Sequence, residues 1–169
     1  MKTVVDEKVR KAWQIDSSKV QFDQSVIWNK TLVAIVEEAA EGLGLKGETK
    51  KTVRANLYKL LLYEEGGHFE KHRDTEKEPG MFGTLVIQLP SKFTGGSLVV
   101  EHRGEKKIVD FSDPQSQDGF YATACFADCE HSLQEVKSGW RICLVYNLCH
   151  AAKRCTRSIA KRCQYDGAD

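Results

Sequence analysis

Between residues 57 and 148 the chain is a succession of short apolar runs, each closed by glycine, proline or a polar cluster. This rhythm limits the fold more than any other feature. Leu57–Tyr63 (LYKLLLY) is bounded by Glu64, Glu65, Gly66 and Gly67, Phe82–Leu89 (FGTLVIQL) stops at Pro90, and Ser97–His102 follows Gly95 and Gly96. Lys106–Phe111, reached through an Arg103-Gly104-Glu105 turn, then Phe120–Ala127, Ser132–Val136 and Arg141–Leu148 (RICLVYNL) complete the series. Apolar runs of about four to eight residues between turn signals read as strands. Ahead of them Trp28, Leu32, Ile35, Val36 and Ala39 recur at helical spacing, with Lys30, Glu37, Glu38 and Glu41 opposite and Gly42 and Gly44 as stops. Helix first and many short strands after predicts an α+β protein whose β part is a sandwich or barrel.

At 169 residues and 41% hydrophobic content the chain is one domain's worth. We expect that domain over 1–150, with helical support over 1–50, a β core over 55–148, and a basic tail over 151–169 (KRCTRSIAKR at Lys153–Arg162). Val4–Val20 is charged and is predicted to wrap the outside; Gly47–Lys51 reads as a polar turn. Lysine and arginine total 25 against 24 aspartates and glutamates, so global charge nominates neither nucleic acid nor membrane as partner. The start, MKTVVDEKVRKAW, is too charged for a signal peptide, and no stretch approaches the roughly 20 apolar residues of a membrane span. The expectation is a soluble intracellular protein, cytoplasmic or nuclear. Cys125, Cys129, Cys143, Cys149, Cys155 and Cys163 show no repeated C-x-x-C and read as free thiols, a zinc site from Cys125, Cys129, Cys149 and Cys155 being the alternative.

The chemistry gathers in two segments, Tyr63–Asp74 (YEEGGHFEKHRD) and His131–Arg141 (HSLQEVKSGWR). On an extended segment His72 and Asp74 leave the same face and can grip one ion. His131 is the best third ligand. Two imidazoles and a carboxylate with the remaining positions open suit a non-haem Fe(II) oxygenase. Two alternatives compete: zinc on His68-x3-His72 were that segment helical, which Gly66 and Gly67 oppose, and Asp128 or Glu130 in place of Asp74. His68, His102 and His150 read as ordinary surface or core histidines. Arg141 stands inside an otherwise apolar strand, which argues for a buried anionic partner.

The order H-x-D, a strand-rich gap with Gly95-Gly96, then His131 and an arginine ten residues later resembles the 2-oxoglutarate and Fe(II)-dependent dioxygenases, most closely their prolyl 4-hydroxylase-like branch. The flanks Tyr63-x-x-Gly66 and Phe69 agree, and the similarity covers residues 55–148. The resemblance implies a double-stranded β-helix, or jelly roll, with supporting N-terminal helices. It implies His72, Asp74 and His131 as the Fe(II) triad, Arg141 on the distal carboxylate of 2-oxoglutarate, and hydroxyl contacts to that co-substrate from Tyr63 and Thr84. The implied reaction consumes 2-oxoglutarate and O2, releases succinate and CO2, and hydroxylates an unactivated C–H bond. A carboxylate at position 74 favours hydroxylation over halogenation.

The leading expectation for the acceptor is a protein or peptide side chain, prolyl first. A nucleic-acid dealkylase is opposed by the lack of a second arginine in Ile142–Asn147. A small-molecule hydroxylase and a non-enzymatic jelly-roll binding module with a vestigial metal site complete the alternatives. Thr75–Met81 and Asp113–Gly119 are the expected mouth loops, with Lys77, Glu78 and Met81 as substrate contacts.

Overall fold

A computed structural model describes residues 6–150; the basic tail, with Cys155 and Cys163, lies outside them. In chain order the elements are β1 (Arg10–Lys11), β2 (Trp13–Asp16), α1 (Ser25–Gly42), α2 (Gly47–Lys51), β3 (Val53–Tyr63), β4 (His68–His72) and β5 (Met81–Gln88). There follow β6 (Phe93–Gly95), β7 (Leu98–His102), β8 (Glu105–Val109), β9 (Tyr121–Phe126), β10 (Glu130–Leu133), β11 (Val136–Gly139) and β12 (Arg141–His150). Two five-stranded sheets form, one ordered β1-β4-β10-β7-β8 and the other β2-β3-β12-β5-β9, with β11 and β6 as a separate ribbon. Each pairing in the two sheets is antiparallel. This is a double-stranded β-helix. We call the two sheets the metal-side and the central sheet.

The inner strands β5 and β12 of the central sheet are covered on both faces, which is why they read as nearly continuous apolar runs. Alternation still sorts their side chains. On β12, Leu144, Tyr146 and Leu148 join Val53, Leu85, Ile87, Val36 and Ala40 in a core beneath α1, while Cys143 packs between the sheets with Leu61, Tyr63, Leu98 and Leu133. Leu85, Ile87, Leu144 and Leu148 are fully buried, each contributing roughly 1.5–3 kcal/mol relative to exposure. Trp28 fixes the helix in position: its Nε1 donates to the Tyr146 hydroxyl at 3.0 Å, and its ring stacks on Phe22.

Two expectations need correction. The first 50 residues are not only helical support: β1 pairs with β4 and β2 with β3, so Arg10–Asp16 extends the edge of both sheets. Charged residues suit such edge strands, whose outer face meets water. Gly47–Lys51 is a short helix rather than a turn, with Glu48 in its first turn and Lys50 and Lys51 in its last, an order that suits the helix dipole.

Candidate metal centre

Strand register assembles the site. His131 lies directly opposite His72 across β10 and β4, and Arg141 directly opposite Tyr63 across β12 and β3. One pair comes from each sheet, and the space between them is a cavity of about 350 Å³ lined also by Asp74, Thr84, Phe69, Asn147 and Arg10. That volume is within the usual range for small-molecule sites.

At one end a donor atom each from His72, Asp74 and His131 lies within 4.8 Å of the others. Asp74 falls just past the end of β4, and its Oδ2 is 3.7 Å from His131 Nε2. The imidazoles are oriented by backbone. His72 Nδ1 donates to the Glu70 carbonyl at 2.8 Å and His131 Nδ1 to the Cys129 carbonyl at 3.2 Å. With the proton on Nδ1, each Nε2 presents a lone pair, which is what a metal requires. The Phe69 ring stacks on His72 with centroids 3.6 Å apart. Burial depresses the His72 pKa, with the nearby His131 and Arg10 acting in the same direction and the Glu70 carbonyl and Asp74 against it, so the neutral ligand form is favoured. Burial, followed by the charge of Asp74, pushes the neighbouring Cys125 thiol up to about 12.

The other end is cationic and buried. Arg141 is 3% exposed, its Nε has no hydrogen-bond partner among the described residues, and its Nη1 donates only to the weak acceptor Cys143 Sγ at 3.4 Å. A buried guanidinium without an acid is costly, and a carboxylate matches its planar fork. Gly96 makes room for it. At φ +67°, a Cβ there would sit 3.1 Å from Arg141 Cδ and 3.0 Å from Val136 Cγ2. Tyr63 is also buried, which pushes its hydroxyl up to about 12, with Cys143 adding to the effect and Arg10 and Arg141 opposing it. It therefore stays a hydrogen-bond donor across the physiological range.

Several residues expected at the site have defined partners. Thr84, expected on the co-substrate, donates its hydroxyl to Asp74 Oδ2 at 2.6 Å and so braces the carboxylate. Lys77 and Met81 line the cavity, but Glu78 does not: its carboxylate accepts from Asn56 at 2.6 Å and Asn147 at 2.7 Å. Among the described residues the Asp113–Gly119 loop contributes no lining residue; Ser116 is buried and hydrogen-bonded to Ser91. β4 is extended, which removes the helical His68-x3-His72 alternative; His68 Nδ1 lies instead 3.0 Å from the Gly66 carbonyl. Glu130 pairs with Arg73 rather than replacing Asp74. No three-donor group among the described residues includes Cys125 or Cys149.

One lining residue, Arg10, escaped the sequence reading. Its guanidinium carbon lies 4.4 Å above the Phe69 ring, and its buried Nε has no hydrogen-bond partner among the described residues. The available signal was alternation, since Ala12, two residues on, also packs against the inner core.

No protein-family model matches the sequence, and no curated protein matches it. Solved structures do match. A Pseudomonas putida prolyl-4-hydroxylase superposes with a TM-score of 0.55 at 16% identity, covering 86% of this chain and 75% of that one. A Trichoplax adhaerens prolyl hydroxylase, in complex with a hypoxia inducible factor oxygen degradation domain peptide fragment, superposes with a TM-score of 0.59 at 10% identity, covering 87% and 66%. A 2OG-Fe(II) oxygenase family oxidoreductase from Burkholderia pseudomallei is 20% identical with a TM-score of 0.47; the match covers 58% of this chain and spans about half, 46%, of that one. Among the described residues no helix is long and apolar enough to cross a membrane. At these identities the likeness is one of fold, the double-stranded β-helix that this chain shares with the two prolyl hydroxylases.

Proposed function

We propose that the protein is a 2-oxoglutarate- and O2-dependent Fe(II) dioxygenase that hydroxylates an unactivated C–H bond. The observation that carries the proposal is the buried, acid-free Arg141 in the same cavity as the His72, Asp74 and His131 donors. A chelating keto acid needs a metal at one end and, for its distal carboxylate, a cation at the other. The residues present fit that requirement.

His72 and His131 would hold the metal through Nε2 and Asp74 through its carboxylate, leaving positions open for the co-substrates. Fe(II) bound there would supply the oxidising chemistry of O2, coupled to conversion of 2-oxoglutarate to succinate and CO2. Arg141 would bind and orient the distal carboxylate, with the Tyr63 hydroxyl beside it and Arg10 adding positive charge to the same cavity. Thr84 holds Asp74 in place, and the apolar walls from Leu61, Phe69, Leu98 and Leu133 exclude water. The acceptor in this reading is a protein or peptide, prolyl first, which agrees with the peptide bound to the Trichoplax structure. Lys77 and Met81 on the mouth loop are the proposed contacts.

The test is an anaerobic titration with Fe(II) and then 2-oxoglutarate, watching for the visible metal-to-ligand charge-transfer band of a chelated keto acid. The band is expected in the native protein and absent in His131→Ala. No band from a folded protein that still binds metal would sink the oxygenase reading. Succinate release with proline-containing peptides then tests the acceptor.

A further inference from the structure

A second group of donors lies outside this cavity. A donor atom each from His102, Asp128 and Cys129 falls within 4.8 Å of the others. Strand pairing explains why they meet. β7 and β10 run antiparallel with Glu101 opposite Glu130, so one step further His102 faces Cys129. His102 is held as the last residue of β7 by a tight turn, Arg103 at φ 49° and Gly104 at φ 84°, the pattern of a two-residue type I′ hairpin. Asp128 arrives from the turn between β9 and β10, closed by the Cys129 N–H donating to the Phe126 carbonyl at 3.1 Å.

The surrounding charges sort themselves in a telling way. Glu101 pairs with Lys71 at 2.6 Å and lies 4.0 Å from Lys106, and Glu130 pairs with Arg73 at 3.5 Å. Asp128 makes no ion pair among the described residues although Arg73, Arg103 and Lys106 line the same shallow surface pocket. Neither its side chain nor that of His102 makes a hydrogen bond among those residues. Three donors of different chemistry are thus left facing one another, and only Cys129 of the three is buried.

We infer that His102, Asp128 and Cys129 form a second metal site, distinct from the His72–Asp74–His131 group, which takes a borderline-soft divalent cation of the zinc class. One thiolate, one imidazole and one carboxylate make a donor set that hard cations such as Mg²⁺ or Ca²⁺ do not choose and that tetrahedral Zn²⁺ does, with water in the fourth position. Tetrahedral zinc places its ligand atoms about 3.5 Å apart, against a present separation of no more than 4.8 Å. On binding, the Cys129 S–H bond gives way to an S–metal bond and the proton passes to solvent. The site also touches the first one indirectly. The Cys129 carbonyl is the acceptor for His131 Nδ1, so a cation held by the same residue steadies the peptide that orients a catalytic-site imidazole.

The sulfur makes the inference testable apart from the oxygenase reading. The reduced, metal-free full-length protein is titrated with Co(II) and followed in the near ultraviolet, where a thiolate ligand gives a charge-transfer band and the His72–Asp74–His131 group gives none. We expect a band that saturates at one equivalent for this site and persists in His72→Ala. It should vanish in Cys129→Ser, and in Asp128→Asn and His102→Ala affinity should fall by at least about tenfold. The last two replace exposed side chains, so the test survives if the buried Cys129→Ser protein fails to fold. No band in the native protein, or a band of unchanged affinity in Asp128→Asn and His102→Ala, overturns the inference. Loss of the keto-acid band with retention of this one would sink the proposed function and leave the second site standing.

Discussion

Each sheet offers the cavity one directly opposed pair of residues, and the two pairs are built on opposite terms. His72 and His131, on the metal-side sheet, are partly exposed, and each has its Nδ1 committed to a nearby carbonyl. Tyr63 and Arg141, on the central sheet, are each 3% exposed, and the arginine has no acid partner among the described residues. The metal end is arranged by local backbone before anything binds. The cationic end is left with a desolvated charge that only an anion satisfies. Metal should therefore bind without keto acid, whereas keto acid should depend on both ends.

The sharpest break is His131→Ala, which removes one of three ligands. Fe(II) affinity should fall by more than about 100-fold, measured by equilibrium binding, since even outer-sphere partners cost about 10- to 100-fold. Arg141→Ala should spare metal binding and weaken 2-oxoglutarate by about 2 to 3 kcal/mol, or roughly 30- to 150-fold, the scale of charge-assisted hydrogen bonds. An equal loss at both ligands would erase the division of labour between the ends. Thr84→Val keeps the shape but removes the 2.6 Å bond to Asp74; metal affinity should drop by about tenfold, with the keto acid following only through the metal. The smallest effect concerns Tyr63. Its hydroxyl, raised by burial to about 12, releases its proton later in the folded than in the unfolded chain, whose tyrosine pKa is about 10. The stability that this contributes is complete below that unfolded value and is lost as pH rises through about 12. Denaturant midpoints should fall over that window in the native protein and fall less in Tyr63→Phe.

The same division governs what could be read from residues alone. His72, Asp74 and Arg141 announce themselves locally, through a same-face H-x-D and a charge inside an apolar strand, His131 follows as the third ligand they call for, and the structure brings all four to one cavity. The strand succession likewise foretold the sheets, because turn residues and apolar runs are local chemistry. Arg10 and the edge strands β1 and β2 were not legible. Their place depends on pairing with Phe69 and Leu62, more than 45 residues away, and the alternation of Arg10 with Ala12 marks an inner face without naming such partners. The bond from Thr84 to Asp74 was not foreseen for a related reason. A hydroxyl on a strand is neutral as to which neighbour it serves, and the choice of Asp74 is made by the packing of the loop that follows β4.

β12 serves two masters through alternate residues, with Leu144, Tyr146 and Leu148 under the helix and Arg141, Cys143, Val145 and Asn147 lining the cavity. A one-residue insertion between Arg141 and Leu144 would leave only poor repairs: it would turn leucines into the cavity, or drive the guanidinium into the apolar layer beneath α1. Core and chemistry are thus written in one reading frame, and length variation that the β7–β8 hairpin could absorb would be punished here. In selection for insertions along the chain, this strand should be the segment from which survivors are missing.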